Sequence, residues 1–294
     1  MLGLETQVMR FIIISGQSGA GKSVALHALE DLGFYGVDNL PVRLLPALVE
    51  DLGLDRGHPI ERVAAVVDVR SPNHDLHEFE STLERLRKMG VDAQVLFLEA
   101  DRDILLKRFS ETRRRHPLTE GEIPLSEALD RESNMLEPLR QNATLQIDTS
   151  RTHLHQLRTI VQERIGRGAT GGLSLLLQSF GFKFGAPRDA DMMFDVRCLP
   201  NPYWEIGLRG LSGRDQAVIE FLQRNSEVQS MSADLKQFLD NWIPCFAREN
   251  RAYLSIAIGC TGGHHRSVFI IDQIADHFAT SYPGLIVRHR ELED

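Results

Sequence analysis

Phe11-Ile12-Ile13-Ile14-Ser15-Gly16-Gln17-Ser18-Gly19-Ala20-Gly21-Lys22-Ser23 is the stretch on which the fold turns. Residues 11–15 are mostly apolar and isoleucine-rich, the composition of a buried strand. Residues 16–23 fit G-x-x-x-x-G-K-[ST] at every position. The spacing of Ala25, Leu26 and Leu29 then predicts a helix opening at Lys22. Each part has a chemical task. The glycines let the backbone curl so that its N–H groups point inward at phosphate oxygens. The helix N-terminus adds the positive end of its dipole. Lys22 reaches the β- and γ-phosphates, and the Ser23 hydroxyl ligates Mg²⁺. Gly16, Gln17, Ser18, Gly19, Ala20, Gly21, Lys22 and Ser23 are therefore the candidate nucleotide-phosphate loop.

Outward from this loop, short apolar runs alternate with amphipathic stretches. Strands are predicted over 11–15, 34–37, 63–69, 93–98 and 144–147. Helices are predicted near 22–32, 41–52, 76–89, 102–114, 126–141 and 152–165. That alternation predicts right-handed crossovers and a parallel five-stranded α/β sheet, a kinase-like P-loop NTPase domain over residues 1–166. Asp68 closes the apolar run 63–67, so its carboxylate lies at the ligand end of a parallel strand. There it is a candidate partner of Ser23 in holding Mg²⁺. Arg70 is a candidate base or phosphate contact, or a plain surface arginine. Asp38-Asn39-Leu40-Pro41 reads equally as helix capping or as a site contact. Lys107, Arg108 and Arg113-Arg114-Arg115-His116 sit where small-molecule kinases carry a phosphate-clamping lid, or form an exposed charged helix.

Arg167-Gly168-Ala169-Thr170-Gly171-Gly172 reads as a linker, because three glycines in a short run give chain freedom and little packing. Beyond it, strands over 173–180, 195–199, 252–258 and 285–289, with helices near 214–224, 232–245 and 267–280, predict a second α/β domain over 173–294. Its clearest signal is Gly259-Cys260-Thr261-Gly262-Gly263-His264-His265-Arg266-Ser267, small residues between a strand and a helix. Such a loop aims backbone N–H groups at one point, and Arg266 adds a planar fork suited to phosphate. Cys260 and Arg266 also fit C-x5-R, the spacing of cysteine phosphatases. Those enzymes usually carry His before the Cys, where Gly259 stands, and need an acid for which Asp195 and Asp215 are candidates by type. Asp195 and Arg197 alternate with Val196, which predicts one shared face; they are candidates for one pocket with Arg266, or equally a structural Asp–Arg surface pair.

Composition narrows the classes. The chain has 294 residues, 42% hydrophobic and 25% charged, which excludes collagen, coiled-coil rods and wholesale disorder. Three cysteines are too few for a disulfide framework and point to a reducing compartment. No apolar run reaches the roughly 18–20 residues of a bilayer span. The first ten residues include Glu5 and lack the basic-then-apolar layout of a signal peptide. A cytoplasmic protein is expected. The net charge of −8 comes from 20 basic and 26 acidic residues through Gly166, and 13 against 15 beyond it. Neither half is basic, which weighs against nonspecific coating of nucleic acid.

The motifs GQSGAGKSVAL (16–26), GFYGVDNLP (33–41), DVRS (68–71), ETRRRHPL (111–118), SFGFKFG (179–185), FDVRCLPNP (194–202) and IGCTGGHHRSV (258–268) together resemble the RapZ family of RNase adapter proteins, formerly the YvcJ/YhbJ nucleotide-binding family. The likeness spans essentially the whole chain. It implies an N-terminal domain binding ATP or GTP with weak hydrolysis at most. Residues 16–23 would be the ATP loop, and Asp68, Val69, Arg70 and Ser71 the segment assigned to GTP. It implies a C-terminal domain that binds glucosamine-6-phosphate, lined by Asp195, Arg197, Cys260, Thr261, Gly262, Gly263, His265 and Arg266. In enterobacterial members that domain also binds a small RNA and presents it to RNase E, and the protein is a tetramer. Two departures stand out. His264 replaces a lysine of the enterobacterial pattern, and the chain ends Glu291-Leu292-Glu293-Asp294 where that pattern has a basic tail. Acids there repel phosphates. Two other functions compete: a small-molecule P-loop kinase built on Lys22, Asp68 and the 113–115 arginines, and a phosphatase built on Cys260.

Overall fold

The computed structural model describes residues 8–53, 60–70, 76–119, 123–166, 173–249 and 251–292. The chain divides into two compact units between Gly166 and Arg167. The expected linker, 167–172, lies outside the described residues, as does Ser71.

In the N-terminal unit, β1 (Arg10–Gly16), β2 (Tyr35–Val37), β3 (Arg62–Val66), β4 (Asp92–Glu99) and β5 (Leu145–Asp148) form one sheet of order β2-β3-β1-β4-β5. Every pairing is parallel, with Ile12 beside Ala64 and Gln94. Helices α1 (Lys22–Glu30), α2 (Leu45–Gly53), α3 (Phe79–Lys88), α4 (Arg102–Thr112), α5 (Leu125–Met135), α6 (Glu137–Gln141) and α7 (Leu154–Gly166) accompany it. The run Phe11-Ile12-Ile13-Ile14 is at most 1% exposed, so both faces of β1 are covered. That is why the strand reads as a continuous apolar run, without alternation. Phe11 and Ile13 pack with Leu45, Phe79, Leu83 and Leu139 of the helices on one face. Each such fully buried side chain contributes about 1.5–3 kcal/mol.

Two expected helices are interrupted. The stretch 126–141 is α5 and α6, because Pro138 at the start of α6 has no N–H to continue the ladder. The stretch 41–52 begins as a 3-10 turn, Val42–Leu44, before α2.

In the C-terminal unit, β6 (Ser174–Gly181), β7 (Met192–Asp195), β8 (Tyr253–Cys260) and β9 (Ile286–His289) form a parallel sheet of order β7-β8-β6-β9. It is accompanied by α8 (Gln216–Gln223), α9 (Ser226–Arg248) and α10 (Arg266–Phe278). Leu175, Leu177, Leu254, Ile256 and Ile258 of the strands form one core with Leu235, Leu239 and Ile243 of α9 and with Ile270, Ile271 and Ile274 of α10.

The expected strand over 195–199 is corrected. The strand ends at Asp195, and 196–199 turn away. The cause is local: the Asp195 carboxylate accepts the Arg197 N–H at 2.9 Å. That turn takes the donor a strand needs for its ladder. Asp195 and Arg197 meet through this turn and not through strand alternation. The predicted helix over 232–245 is also longer, starting at Ser226 under an Asn225 cap that accepts the Glu227 N–H.

Candidate functional site

Both units gather their chemistry at the C-terminal ends of parallel strands, where such sheets hold ligands. In the N-terminal unit, residues 16–23 join β1 to α1. Gly16 has φ +135, and a Cβ there would lie 2.0 Å from the Leu98 carbonyl oxygen on β4. No other residue fits that crossing. Lys22 donates from Nζ to the Gly16 carbonyl at 2.7 Å, so the lysine arches over its own loop. Burial lowers its pKa, while the charges of Glu132 and Asp68 pull it back up. Gln17 fastens the loop to β4, accepting the Ala100 N–H at 2.9 Å.

Asp68 lies two residues past β3 and is 2% exposed. Arg70 grips both of its oxygens, Nε to Oδ2 at 2.9 Å and Nη2 to Oδ2 at 2.6 Å, and donates its backbone N–H to Oδ1 at 3.0 Å. Burial works against the carboxylate, but the Arg70 hydrogen bonds and the Lys22 charge outweigh it and hold its pKa below the usual range. Arg70 is thus a partner of Asp68 before it is a ligand contact.

The basic run divides. Arg108 turns inward and donates to the Gly19 carbonyl at 3.0 Å and to Thr149 Oγ1 at 3.1 Å. Arg113, Arg114 and Arg115 are exposed at the end of α4. His116 is buried and contacts Glu132 of α5 at 3.0 Å, and Glu132 in turn holds Ser18 of the loop. Sequence reading missed Glu132. Nothing local marks it, because Ser18 is 114 positions away. Beside these residues lies a groove of about 520 Å³ lined by Val69, Pro117, Leu118, Ile123, Arg131 and Asn134 among others.

In the C-terminal unit, β8 delivers Cys260 and α10 begins at Arg266. Arg266 is 4% exposed and spans the strand ends. It donates to the Arg197 carbonyl at 2.8 Å, the Leu199 carbonyl at 2.9 Å and Thr261 Oγ1 at 3.2 Å. Its buried Nε has no hydrogen-bond partner. Gly263 has φ +75, and a Cβ there would strike the Gly181 nitrogen at 2.7 Å, so the loop lies flat on the end of β6. His265 is fixed by the Leu208 carbonyl at 3.2 Å, and burial keeps its pKa below the ordinary value. His264 is lowered too, by burial first and then by the charges of His265 and Lys183. Lys183 was missed from sequence. It follows β6, and Nζ would lie 4.0 Å from a Cβ on Gly262.

Asp195 and Arg197 repeat the Asp68–Arg70 arrangement: Nε to Oδ2 at 3.0 Å, Nη2 to Oδ2 at 2.7 Å. The Arg197 guanidinium also stacks over Phe182 at 4.0 Å. The Arg197 hydrogen bonds lower the Asp195 pKa first, and Arg266 contributes through its charge. So Asp195, Arg197, Arg266, Thr261 and Lys183 converge on one loop, and the Glu291 carboxylate lies against it at Gly263. Cys260 lies beneath it, 3% exposed. Its sulfur receives the Gly263 N–H at 3.2 Å and lies 3.2 Å from Ser267 Oγ.

One further chain escaped sequence reading. Ser179 Oγ, His289 Nδ1, His289 Nε2 and Asp272 Oδ1 line up at 2.9 and 3.0 Å, a Ser–His–Asp series. Ser179 is 0% exposed within the central strand β6, so no substrate reaches its hydroxyl. The series fastens β9 to β6 and α10.

Among the described residues no cluster of three or more His, Cys, Asp or Glu side chains is placed to hold a metal. No helix there is long and apolar enough to cross a membrane. A Mg²⁺ that draws most of its oxygens from nucleotide phosphates and water, with Ser23 and Asp68 from the protein, is consistent with this donor set.

Residues 9–168 match the RapZ-like N-terminal domain, and residues 173–293 match the RapZ C-terminal domain. The chain belongs to the RapZ family. Relatives named nucleotide-binding protein are similar along nearly its whole length. That of Methylococcus capsulatus is 48% identical, covering 97% of both chains. Those of Thioalkalivibrio sulfidiphilus and Pseudomonas putida are 51% and 50% identical, each covering 97% of this chain and 100% of the relative. A solved shikimate kinase from Acinetobacter baumannii is 16% identical, with a TM-score of 0.37 over 55% of this chain and 96% of that one. Within the RapZ family, this chain pairs a P-loop unit on a five-stranded parallel sheet with a second α/β unit on a four-stranded parallel sheet.

Proposed function

We propose that this RapZ-family chain is a nucleotide-binding regulatory protein that senses an amino-sugar phosphate. The N-terminal unit binds ATP or GTP with Mg²⁺ at residues 16–23, beside Asp68, Val69 and Arg70. The C-terminal unit binds glucosamine-6-phosphate at residues 260–266, with Asp195 and Arg197 on its rim. The observation that carries this reading is the pair of anion loops, each at a strand-to-helix junction and each shaped by a glycine at positive φ. The names of the relatives support the nucleotide half. When bound, Mg²⁺ neutralises phosphate charge; Ser23 and Asp68 are the residues that would hold it.

The sugar-phosphate site follows from the charges. Backbone N–H groups at the start of α10 take the phosphate, with Arg197 and Lys183 as flanking cations. The unpartnered Nε of Arg266 has one donor left for an acceptor at the loop. Asp195 supplies the carboxylate that a protonated amino group seeks.

Presentation of a small RNA to RNase E is the outermost part of this reading, with assembly as a tetramer beside it. Tyr203 and Trp204, 46% and 73% exposed, lie past β7, and Arg209 stacks over Tyr203 at 4.7 Å. Exposed aromatics with a stacked arginine suit single-stranded bases. A gel shift with small RNA at low salt, weakening steeply as salt rises and reduced by Arg288→Ala, is the expected result. No shift at low salt removes the RNA role and leaves the sensor reading standing. The kinase alternative has a groove lined by Val69, but among the described residues its lining holds no carboxylate or histidine to act as base. The phosphatase alternative places its nucleophile beneath the loop, at 3% exposure.

A further inference from the structure

We propose that the buried Glu132 carboxylate is a specificity-determining group of the nucleotide loop, disfavouring the terminal phosphate of a nucleoside triphosphate and so selecting the diphosphate. The inference rests on the nucleotide reading above. The Glu132 and His116 side chains are both 0% exposed. The carboxylate accepts the Ser18 N–H at 3.0 and 2.9 Å and the Ser18 hydroxyl at 2.6 Å, and faces His116 Nε2 at 3.0 Å. The Leu118 N–H donates to His116 Nδ1 at 3.1 Å. Nδ1 is therefore the acceptor nitrogen of the ring, and the proton of a neutral imidazole sits on Nε2, aimed at Glu132. Every partner of the carboxylate is then a donor. That set of donors is complementary to a carboxylate, and among the described residues no hydrogen-bond partner brings a guanidinium or ammonium to it.

The loop fixes where this charge acts. Backbone N–H groups near the start of α1 cradle the α- and β-phosphates, and the loop lysine reaches the β/γ end. Glu132 and Asp68 are the carboxylates whose charge acts most strongly on Lys22. A γ-phosphate drawn to Lys22 enters the field of both. Asp68 is neutralised by Arg70. Glu132 is offset by the Lys22 charge, the same ammonium that a γ-phosphate would claim, and its bonds to Ser18 and His116 hold it in place. Its repulsion falls most heavily on the third phosphate and its additional charge. His116 follows Arg113, Arg114 and Arg115, so the same carboxylate also ties the arginine segment to the loop.

The test is calorimetric titration of the full chain with ADP and ATP, and with GDP and GTP, all with Mg²⁺. Wild type should bind the diphosphate of the preferred base about tenfold more tightly than its triphosphate. In Glu132→Gln, which keeps the shape and removes the charge, that ratio should collapse toward one. A wild-type ratio at or below one overturns the proposal, whether or not the variant folds. So does a ratio that survives in a folded E132Q protein. Absence of binding by all four nucleotides fails the nucleotide reading itself, a different outcome.

Discussion

Arg266→Ala is expected to abolish glucosamine-6-phosphate binding and to destabilise the C-terminal unit by about 2–5 kcal/mol. The stability loss comes from the two main-chain carbonyls, Arg197 and Leu199, that the guanidinium serves at 2.8 and 2.9 Å. Losing a buried donor leaves each unpaired, at roughly 1–3 kcal/mol apiece. The binding loss has a separate cause. Removing Nε and the positive charge deletes one charge-assisted contact and frees the loop carried by Asp195, Val196 and Arg197 to shift. Arg266→Lys separates the two effects. It keeps the charge, but one ammonium cannot span both carbonyls as a planar fork does. Thermal unfolding should show R266K between wild type and R266A, while titration shows its affinity reduced about tenfold or more. Unchanged sugar-phosphate affinity in R266K would remove Arg266 from the site and leave it a structural strut.

The second large effect is expected at Lys22. Lys22→Ala should weaken nucleotide binding by about 10–100-fold, the worth of one charge-assisted contact of roughly 1.5–3 kcal/mol. Stability should change little, because among the described residues the ammonium bonds the Gly16 carbonyl alone and burial already opposes its charge. The sign with pH follows. Burial lowers the Lys22 pKa, so the ammonium is lost at lower pH than in an ordinary lysine. Nucleotide must bind the protonated form, so affinity falls as pH rises through that lowered value. Equal affinities for wild type and K22A at pH below that lowered value, where the ammonium is intact, would contradict this role.

The parts of the fold and site that were legible share a property: their residues act in sequence order. Residues 16–23 make one turn with one task, and the apolar runs on either side mark a sheet covered on both faces. The loop from Cys260 to Arg266 is legible for the same reason. What could not be read depends on partners far away in the chain. Glu132 meets Ser18 across 114 positions and Arg108 meets Gly19 across 89, with no local pattern to mark either pair. The misread strand over 195–199 has another cause. Alternation predicts strand and Asx turn alike when Asp is followed two residues later by Arg. The carboxylate settles it by taking the Arg197 N–H. The same Asp-Val-Arg turn follows β3 at Asp68, so both units place a carboxylate–guanidinium pair at the mouth of their anion loop.

The acidic balance bears unevenly on the proposed roles. The phosphate loops depend on backbone amides and a few fixed cations, which a net charge of −8 leaves in place. RNA attraction depends on many exposed cations together, and so is weakened most.

The central claim is that one chain carries two distinct anion sites, one in each unit. It is tested most directly by titrating the full chain with Mg²⁺ and nucleotide to saturation, then with glucosamine-6-phosphate in the same calorimeter cell. Two separate saturating events are predicted, with K22A removing or weakening only the first and R266K only the second. A flat second titration, or competition of both ligands for one site, would contradict the account.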